Sequence, residues 1–523
     1  MLPLKEKDKA LVQKLLSSGC CPRCVLRFCC INVQSLYKRL PQELLKELKE
    51  FIGDGESSTG KTIENKSLSD AGTEQEADEA PPPKRFKPEE TEPTREEESP
   101  ICPVCLGVLQ EHCDQTLASK VAEAIKTENY EFDSLVLSVS LPAQLCVREH
   151  SCWLHVKTEV RTKSLVLGKD DVIQVKEAFK WVMQSLVSKT LGGAMVVSKS
   201  AFEVGVEFVH PDTDKDCHFL ATTCPDCFKP TKNKESVFTR MAVVKALEKI
   251  SDTNFLKHYP CPPPRPSSSC VSRDVQCLHT SVFIAGRYNK FCRTLPQTPW
   301  LINGERRMES SVEELIAGPI LETFRATGFN FSSSGREDVD VRTLGNGRPF
   351  AMELINPHKP RFNRDQIKKI QQTINDSSDK IRVRDLQIVS RDAMGRMKEG
   401  EEEKTKSYRA LVWTQKPIEK EDIIFLNDIK ELTVDQKTPL RVLHRRALAV
   451  RPRVIHSMSS EYKDPHHFYL GLKTQAGTYI KEFVHGDFGR TKPNMCRLLQ
   501  METDILELDV ESVDVDWPPP IPE

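Results

Sequence analysis

Ser334-Gly335-Arg336-Glu337-Asp338-Val339-Asp340-Val341-Arg342, continuing through Gly345-Asn346-Gly347-Arg348-Pro349-Phe350, is the stretch from which the rest of the chain is read. Three carboxylates and two arginines fall within the seven residues 336–342, between Gly335 and a Gly-x-Gly expected to turn. Gly335 can hold a positive φ that would strain other residues, so a sharp turn there aims the next side chains into a pocket. Val339 and Val341 are β-formers and predict a short strand, with Asp338 and Asp340 on one face and the valines on the other. A carboxylate flanked by arginines is held ionised, which suits a nucleophile or base and not a general acid. The valines weaken the plainer reading, a solvated charged loop.

Three more stretches follow downstream. Lys406-Ser407-Tyr408-Arg409-Ala410 leads into the strand-like Leu411-Val412-Trp413. Arg441, Arg445, Arg446, Arg451 and Arg453 place five arginines within thirteen residues, and residues 436–460 contain no acid. A salt-bridged face would need interleaved acids, so phosphate contact is the preferred reading. Gly477-Thr478-Tyr479-Ile480-Lys481 then precedes His485-Gly486-Asp487-Phe488-Gly489-Arg490-Thr491.

Gly335-Arg336-x-Asp338 resembles the Gly-Arg-x-Asp signature of pseudouridine synthases. The full run GREDVDVRTLGNGRPF is similar to the archaeal and eukaryotic family that modifies the T-arm of tRNA. With the Tyr408 and Gly477–Lys481 signatures, the resemblance covers roughly the last 240 residues. It implies that Asp338 attacks the ribose, that the Tyr408 ring stacks on the target uracil and helps remove its C5 proton, and that Lys481 pairs with Asp338. A flipped base needs such an aromatic platform. Sister families often carry arginine at the Lys481 position; lysine keeps the charge and loses the bidentate fork. By the same resemblance residues 436–446 form a thumb loop, and a forefinger loop lies near Thr298–Ser311. There Trp300 sits with Arg306 and Arg307, a grouping suited to stacking and phosphate grip; a structural tryptophan on a solvated loop is the equal alternative. Arg336, Arg441, Arg445, Arg446 and Arg451 complete the expected RNA-binding set. No organic cofactor is expected for an isomerisation.

The formal net charge of −1 hides segregation: residues 281–500 carry 38 Lys+Arg against 28 Asp+Glu, whereas the last 23 residues hold eight acids and no base. A locally basic domain fits a nucleic-acid surface better than a membrane. No apolar run approaches bilayer-spanning length. The N-terminal segment mixes lysines with acids, unlike a signal or transit peptide, so the 18 cysteines read as free thiols plus metal ligands in an intracellular protein.

Residues 3–17 read as a helix and Ser35–Ile52 as a second amphipathic one. Cys21-Pro22-Arg23-Cys24 and Cys102-Pro103-Val104-Cys105 predict the two halves of a four-thiolate zinc site. With all four positions taken by thiolates, that zinc would be structural. The 77 residues between the pairs are many, but closure entropy grows only logarithmically with length. The resemblance places a zinc site here in eukaryotic members. Residues 53–100 hold fourteen acids, six bases and one aromatic, and read as a disordered insertion. Within it, Gly55–Thr62 matches the P-loop pattern without the strand and helix that a phosphate site needs, and is a chance match. Pro83-Lys84-Arg85-Phe86-Lys87 reads as a nuclear-import signal or as a few solvated charges; nucleus and cytoplasm are the expected compartments. Cys224 and Cys227 lack a partner pair and read as free thiols.

The expected architecture is α+β. Residues 1–52 and 101–258 carry the zinc knuckles and an RNA-binding module that the resemblance identifies as THUMP-type. Residues 259–280 form a linker, and 281–523 a catalytic domain on a mixed, mainly antiparallel sheet. In residues 106–280 a helix is expected around 121–125, strands at 135–141 and 204–209, and a long helix over 173–191. The expected partner is tRNA, with other structured RNAs open. Two other enzyme classes were weighed. Asp338-Val339-Asp340 fits the metal-binding DxD of some glycosyltransferases, and a zinc deaminase would need a His-x-Glu that the chain lacks. The non-enzymatic alternative is an RNA-binding scaffold.

Overall fold

The computed structural model describes residues 2–53, 100–164, 166–229, 236–399 and 404–522. The P-loop-like run, the basic cluster 83–87 and nearly all of the expected disordered insertion lie outside the described residues. The structure falls into two units, the first drawn from Met1–Thr127 and Asp133–Cys277, the second from Glu128–Phe132 and Leu278–Glu523.

In the first unit the amphipathic stretch 35–52 is not one helix but two, Gln34–Tyr37 and Pro41–Ile52. Pro41 lacks an N–H and pushes Leu40 into extended backbone, so it can open a helix and cannot continue one. Helices Gln115–Glu128 and Val175–Thr190 form where apolar periodicity predicts them. Strand β1 (Ser134–Ser140) pairs in parallel with β2 (Met195–Val196) and β3 (Phe202–Val209).

The 20-residue helix Gln144–Lys163 has no expectation behind it, because its buried face carries Gln144, Arg148 and His150 among the apolar residues. Buried Asp216 accepts hydrogen bonds from Arg148 (2.7 Å), Gln144 (2.9 Å) and the Tyr259 hydroxyl (3.1 Å), so Gln144 and Arg148 are satisfied in place. Arg148 also donates to the carbonyls of Pro103 and Pro264. Residues 259–277, expected as linker, are thereby packed into this unit, and they carry β4 (Val271–Ser272) and the start of β5 (Gln276–His279).

The second unit is built on one ten-stranded sheet. After β6 (Val282–Lys290), the short hairpin β7 (Leu301–Ile302) and β8 (Glu305–Arg306) stands apart from it. The remaining strands are β9 (Gly328–Ser333), β10 (Val341–Ile355), β11 (Ile381–Val389), β12 (Thr405–Thr414), β13 (Lys430–Lys437), β14 (Val450–Asp464), β15 (His467–Gln475), β16 (Thr491–Lys492) and β17 (Thr503–Val513). Their order is β11-β6-β10-β17-β12-β15-β14-β13-β16, with β9 on β10. Only β10 and β17 run parallel, so the sheet is mixed and mainly antiparallel. One core gathers Phe350, Met352 and Leu354 of β10 with Ile316, Ile320, Ile367 and Ile370 of the helices Val312–Phe324 and Arg364–Ser377. A second gathers Ala410, Val412, Phe468 and Leu470 with Phe483 and Met495.

Gly345-Asn346-Gly347 is not a turn. It is an irregularity within β10, between Thr343 and Arg348. A β-carbon on Gly345 would meet the Glu511 carbonyl oxygen at 1.9 Å, so close approach of β17 requires glycine there. The carbonyls freed by the bulge go to buried Arg287, which donates to Asn346, Gly347, Val513, Val515 and Trp517. Arg287→Met would take this donor from the carbonyls of Gly347, Val515 and Trp517, while Asn346 keeps Arg384 and Val513 keeps the Asn346 side chain and the Val515 amide. It should destabilise the second unit by at least about 3 kcal/mol in chemical denaturation; an unchanged midpoint would show that the carbonyls of Gly347, Val515 and Trp517 are otherwise satisfied.

Candidate active site

Gly335 takes φ +84° and turns the chain out of β9. Glu337 then points inward, where its carboxylate accepts from the Tyr288 hydroxyl (2.8 and 2.9 Å) and from Arg348 Nε (2.7 Å). Arg348 also donates to the Ser334 carbonyl at 2.8 Å, and Gln297 to that of Gly335 at 3.1 Å. The turn is thus held from below by the buried, paired side chains of Tyr288, Gln297, Glu337 and Arg348.

The strand expected through Asp338–Val341 does not form before Val341. Residues 339 and 340 are a turn, closed by the Val341 amide on the Asp338 carbonyl at 3.1 Å. The physical reason is Lys290. Its buried ammonium donates to the carbonyls of Leu295 (2.7 Å), Asp338 (3.0 Å) and Val339 (3.0 Å), which removes two carbonyls from any ladder. Burial pushes the Lys290 ammonium below its ordinary range. The two aspartates still share a cation: Lys481 Nζ lies 2.8 Å from both Asp340 oxygens and 3.5 Å from Asp338 Oδ2. Burial works against charge on Asp340, but the Lys481 hydrogen bond prevails and holds its carboxyl below the usual range.

Asp338 lines a cavity of about 620 Å³ together with Arg336, Tyr408, Arg441, Arg445, Arg446 and Lys481. Five separate stretches of sequence meet there. Nearest to Asp338 is Arg441, whose Nη1 lies 2.8 Å from Asp338 Oδ2. Arg441 is held in turn by Glu482, buried at the start of the helix Ile480–His485, with Nε at 2.6 Å and Nη2 at 3.4 Å. Arg441, expected to bind RNA, is thus ion-paired within the chain. The acids missing from residues 436–460 arrive by tertiary contact, and its guanidinium bridges two carboxylates. Arg445 and Arg446 line the same cavity, are exposed, and form no ion pair with a described residue.

Tyr408, on β12, faces the cavity beside Leu508 and Val510. Burial pushes its hydroxyl up, with Arg348 opposing. That direction favours the neutral phenol.

Trp300, Arg306, Arg307 and Arg451 do not line the cavity. The loop expected around Trp300 contains the β7–β8 hairpin, turned by Asn303 (φ +52°) and Gly304 (φ +82°). Asn-Gly is a strong hairpin signal that sequence reading passed over. Arg306 pairs with Glu314, Arg307 lies 3.6 Å from Glu305, and Arg451 donates to Thr438 Oγ1 at 3.2 Å. Trp300 remains 41% exposed.

Residues 283–514 match the family model for the C-terminal part of Pus10, and residues 102–277 that for the eukaryotic Pus10 N-terminal part. A tRNA pseudouridine synthase Pus10 of Homo sapiens is 56% identical, covering 99% of this chain and 99% of its own. The chain belongs to the Pus10 family. It is an enzyme, a pseudouridine synthase. A Pus10 from the archaeon Thermofilum pendens is 39% identical over 45% of this chain and 54% of its own. Among solved structures, a pseudouridylate synthase aligns with 10% identity over 48% of this chain and 74% of its own, at a TM-score of 0.19.

In the first unit of this Pus10-family chain, the Sγ atoms of Cys21, Cys24, Cys102 and Cys105 all lie within 4.8 Å of one another, and all four residues are buried. A tetrahedral metal with arms of ~2.3 Å has sulfur–sulfur edges of about 3.8 Å. The Cys21–Cys105 separation is 3.8 Å. Hydrogen bonding to Cys102 pushes the Cys21 thiol well up, and burial does the same at Cys105, so a cation is what would take those protons away. Arg27, fully buried, donates to Cys24 Sγ at 3.4 Å. The group therefore fits a metal ion. Cys224 and Cys227 flank a single 3-10 turn against an apolar cluster, and join no metal-ligating group among the described residues.

Lys290→Met should loosen the turn below the cavity, at a cost of about 2 kcal/mol for the Leu295 and Val339 carbonyls, since the Asp338 carbonyl keeps the Val341 amide. Hydrogen exchange should then show faster exchange at the Val341 amide; unchanged exchange would show that the ammonium does not organise the turn.

Proposed function

We propose that the uridine this enzyme isomerises lies in the T-arm of tRNA, at position 54, 55 or both, and that Asp338 acts on its ribose. The observation that carries this is the position of Asp338 in the cavity, 2.8 Å from Arg441 and 3.5 Å from Lys481. Arg441 and Lys481 hold that carboxylate in place at the cavity, where a nucleophile must stand. The target base leaves its stack and rests on Tyr408. The C1′–N1 bond breaks, the uracil turns, a C1′–C5 bond forms, the C5 proton leaves and N1 gains one. Atoms balance without an external reactant. Arg336, Arg445 and Arg446 hold phosphates around the cavity, and Trp300 and Arg306 with Arg307 serve a second contact on the hairpin. Arg451 braces the arginine loop through Thr438.

The first unit serves as a THUMP-type RNA-binding module, and its four thiolates hold one structural zinc. The same reading distributes the protein between nucleus and cytoplasm.

Two measurements test this. Asp338→Asn should abolish pseudouridine formation in tRNA while affinity stays near wild type, because the amide keeps the shape and loses the nucleophile. Asp340→Asn should be milder, since it removes only the outer partner of Lys481. Loss in Asp340→Asn with activity kept in Asp338→Asn would reverse the assignment. For the metal, the protein should carry one zinc per chain, and Cys102→Ser should lower that content and the stability of the first unit. Unchanged stoichiometry in the mutant would rule out this ligand set.

A further inference from the structure

Phe488 is 94% exposed, the most exposed of the large apolar residues in the second unit. Single exposed apolar side chains are ordinary. What sets this one apart is the backbone beneath it. Gly486 (φ +80°), Asp487 (φ +47°), Phe488 (φ +54°) and Gly489 (φ +80°) are four consecutive residues in the left-handed region. For L-residues that conformation is costly, and a bulky side chain there is an outlier that the surroundings must enforce.

The surroundings do enforce it. Asp487 is buried; its amide donates to His485 Nδ1 at 3.1 Å, and its Oδ2 accepts from the Leu440 amide at 3.3 Å. Arg490 lies 3.5 Å from Asp487 and donates to the Thr438 carbonyl at 2.6 Å, while the Lys437 amide donates to the Arg490 carbonyl at 3.0 Å. These bonds clamp the left-handed turn to the loop that carries Arg441, Arg445 and Arg446. The aromatic ring and the cation beside Asp338 therefore share one frame. The acids of that frame, Glu482 and Asp487, are turned inward and paired, so the turn presents an exposed aromatic clamped to the loop that carries Arg445 and Arg446. That combination suits a nucleic-acid base better than a protein surface.

We infer that Phe488 is a substrate-contacting wedge: it enters the RNA stack where the target uridine has left, and keeps that base in the cavity. Unstacking a base is costly, and an inserted apolar side chain replaces the stacking that is lost. The inference rests on the T-arm reading above and adds a residue that no signature singles out.

The test uses the full chain with two RNAs: a T-arm stem-loop with 2-aminopurine beside the target uridine, and a short single strand with the same uridine unstacked. Phe488→Ala should slow single-turnover conversion of the stem-loop by about tenfold, the size of one lost base–aromatic stack. It should also abolish the fluorescence change on binding, and leave the single strand at the wild-type rate. Phe488→Trp should restore both stem-loop readouts. Wild-type behaviour of Phe488→Ala on the stem-loop, or equal losses on the two RNAs, would overturn the wedge. If the wild type forms no pseudouridine in the stem-loop, the T-arm reading fails separately; the fluorescence arm still decides Phe488, and no change on wild-type binding counts against it.

Discussion

An ammonium group with no carboxylate partner among the described residues organises this site. Lys290 ends a β-strand inside the second unit, fully buried, and spends its three donors on the carbonyls of Leu295, Asp338 and Val339. Backbone bound in that way cannot enter the sheet, so β10 is delayed to Val341 and Asp338 stands on a turn instead of a ladder. Buried cations are usually matched by anions; here the match is a set of carbonyl dipoles, which leaves nearby carboxylates free for other work. Glu337 is spoken for by Tyr288 and Arg348 beneath the turn. Asp338 and Asp340 point instead to the cavity side and meet Arg441 and Lys481.

The same logic runs outward. Arg441 is fixed by Glu482 before it reaches Asp338, so the cation nearest that carboxylate is oriented by a buried acid four residues from Thr478 in the Gly477–Lys481 signature. Beyond it, Arg445 and Arg446 are left without acids, and their charge is available to an anionic polymer. Moving from Lys290 to Arg446, the cations pass from carbonyl-bound, to carboxylate-bound, to unpaired. That gradient turns a self-satisfied interior into a cationic surface over a short distance.

In the first unit, two buried arginines do comparable work. Arg148 ties the Pro103 carbonyl, between the second pair of thiols, to Asp216 and to Pro264. Arg23 donates to the carbonyls of Tyr37, Arg39 and Leu109 and so joins the first knuckle to the chain after the second. A metal at the four thiols would close a frame that these arginines already hold in register.

Sequence alone determined the parts whose chemistry is local. Cys-Pro-x-Cys twice over identified the thiol cluster across 77 intervening residues, because four soft ligands are a requirement of composition and not of distance. Gly335 was legible from its need for positive φ, and Asp338, Tyr408 and Lys481 from signatures whose resemblance reaches the whole catalytic unit. Tertiary structure decided everything that depends on which side chain satisfies which buried group. The Asp338–Val341 strand was lost to Lys290, forty-eight residues from Asp338. The helix Gln144–Lys163 was hidden because it buries polar residues that only Asp216 and its neighbours make tolerable. Arg441 looked free because its acids lie 41 residues later and 103 residues earlier. Periodicity and local propensity record what a residue prefers on its own; a buried hydrogen bond depends on a partner that only the folded chain supplies.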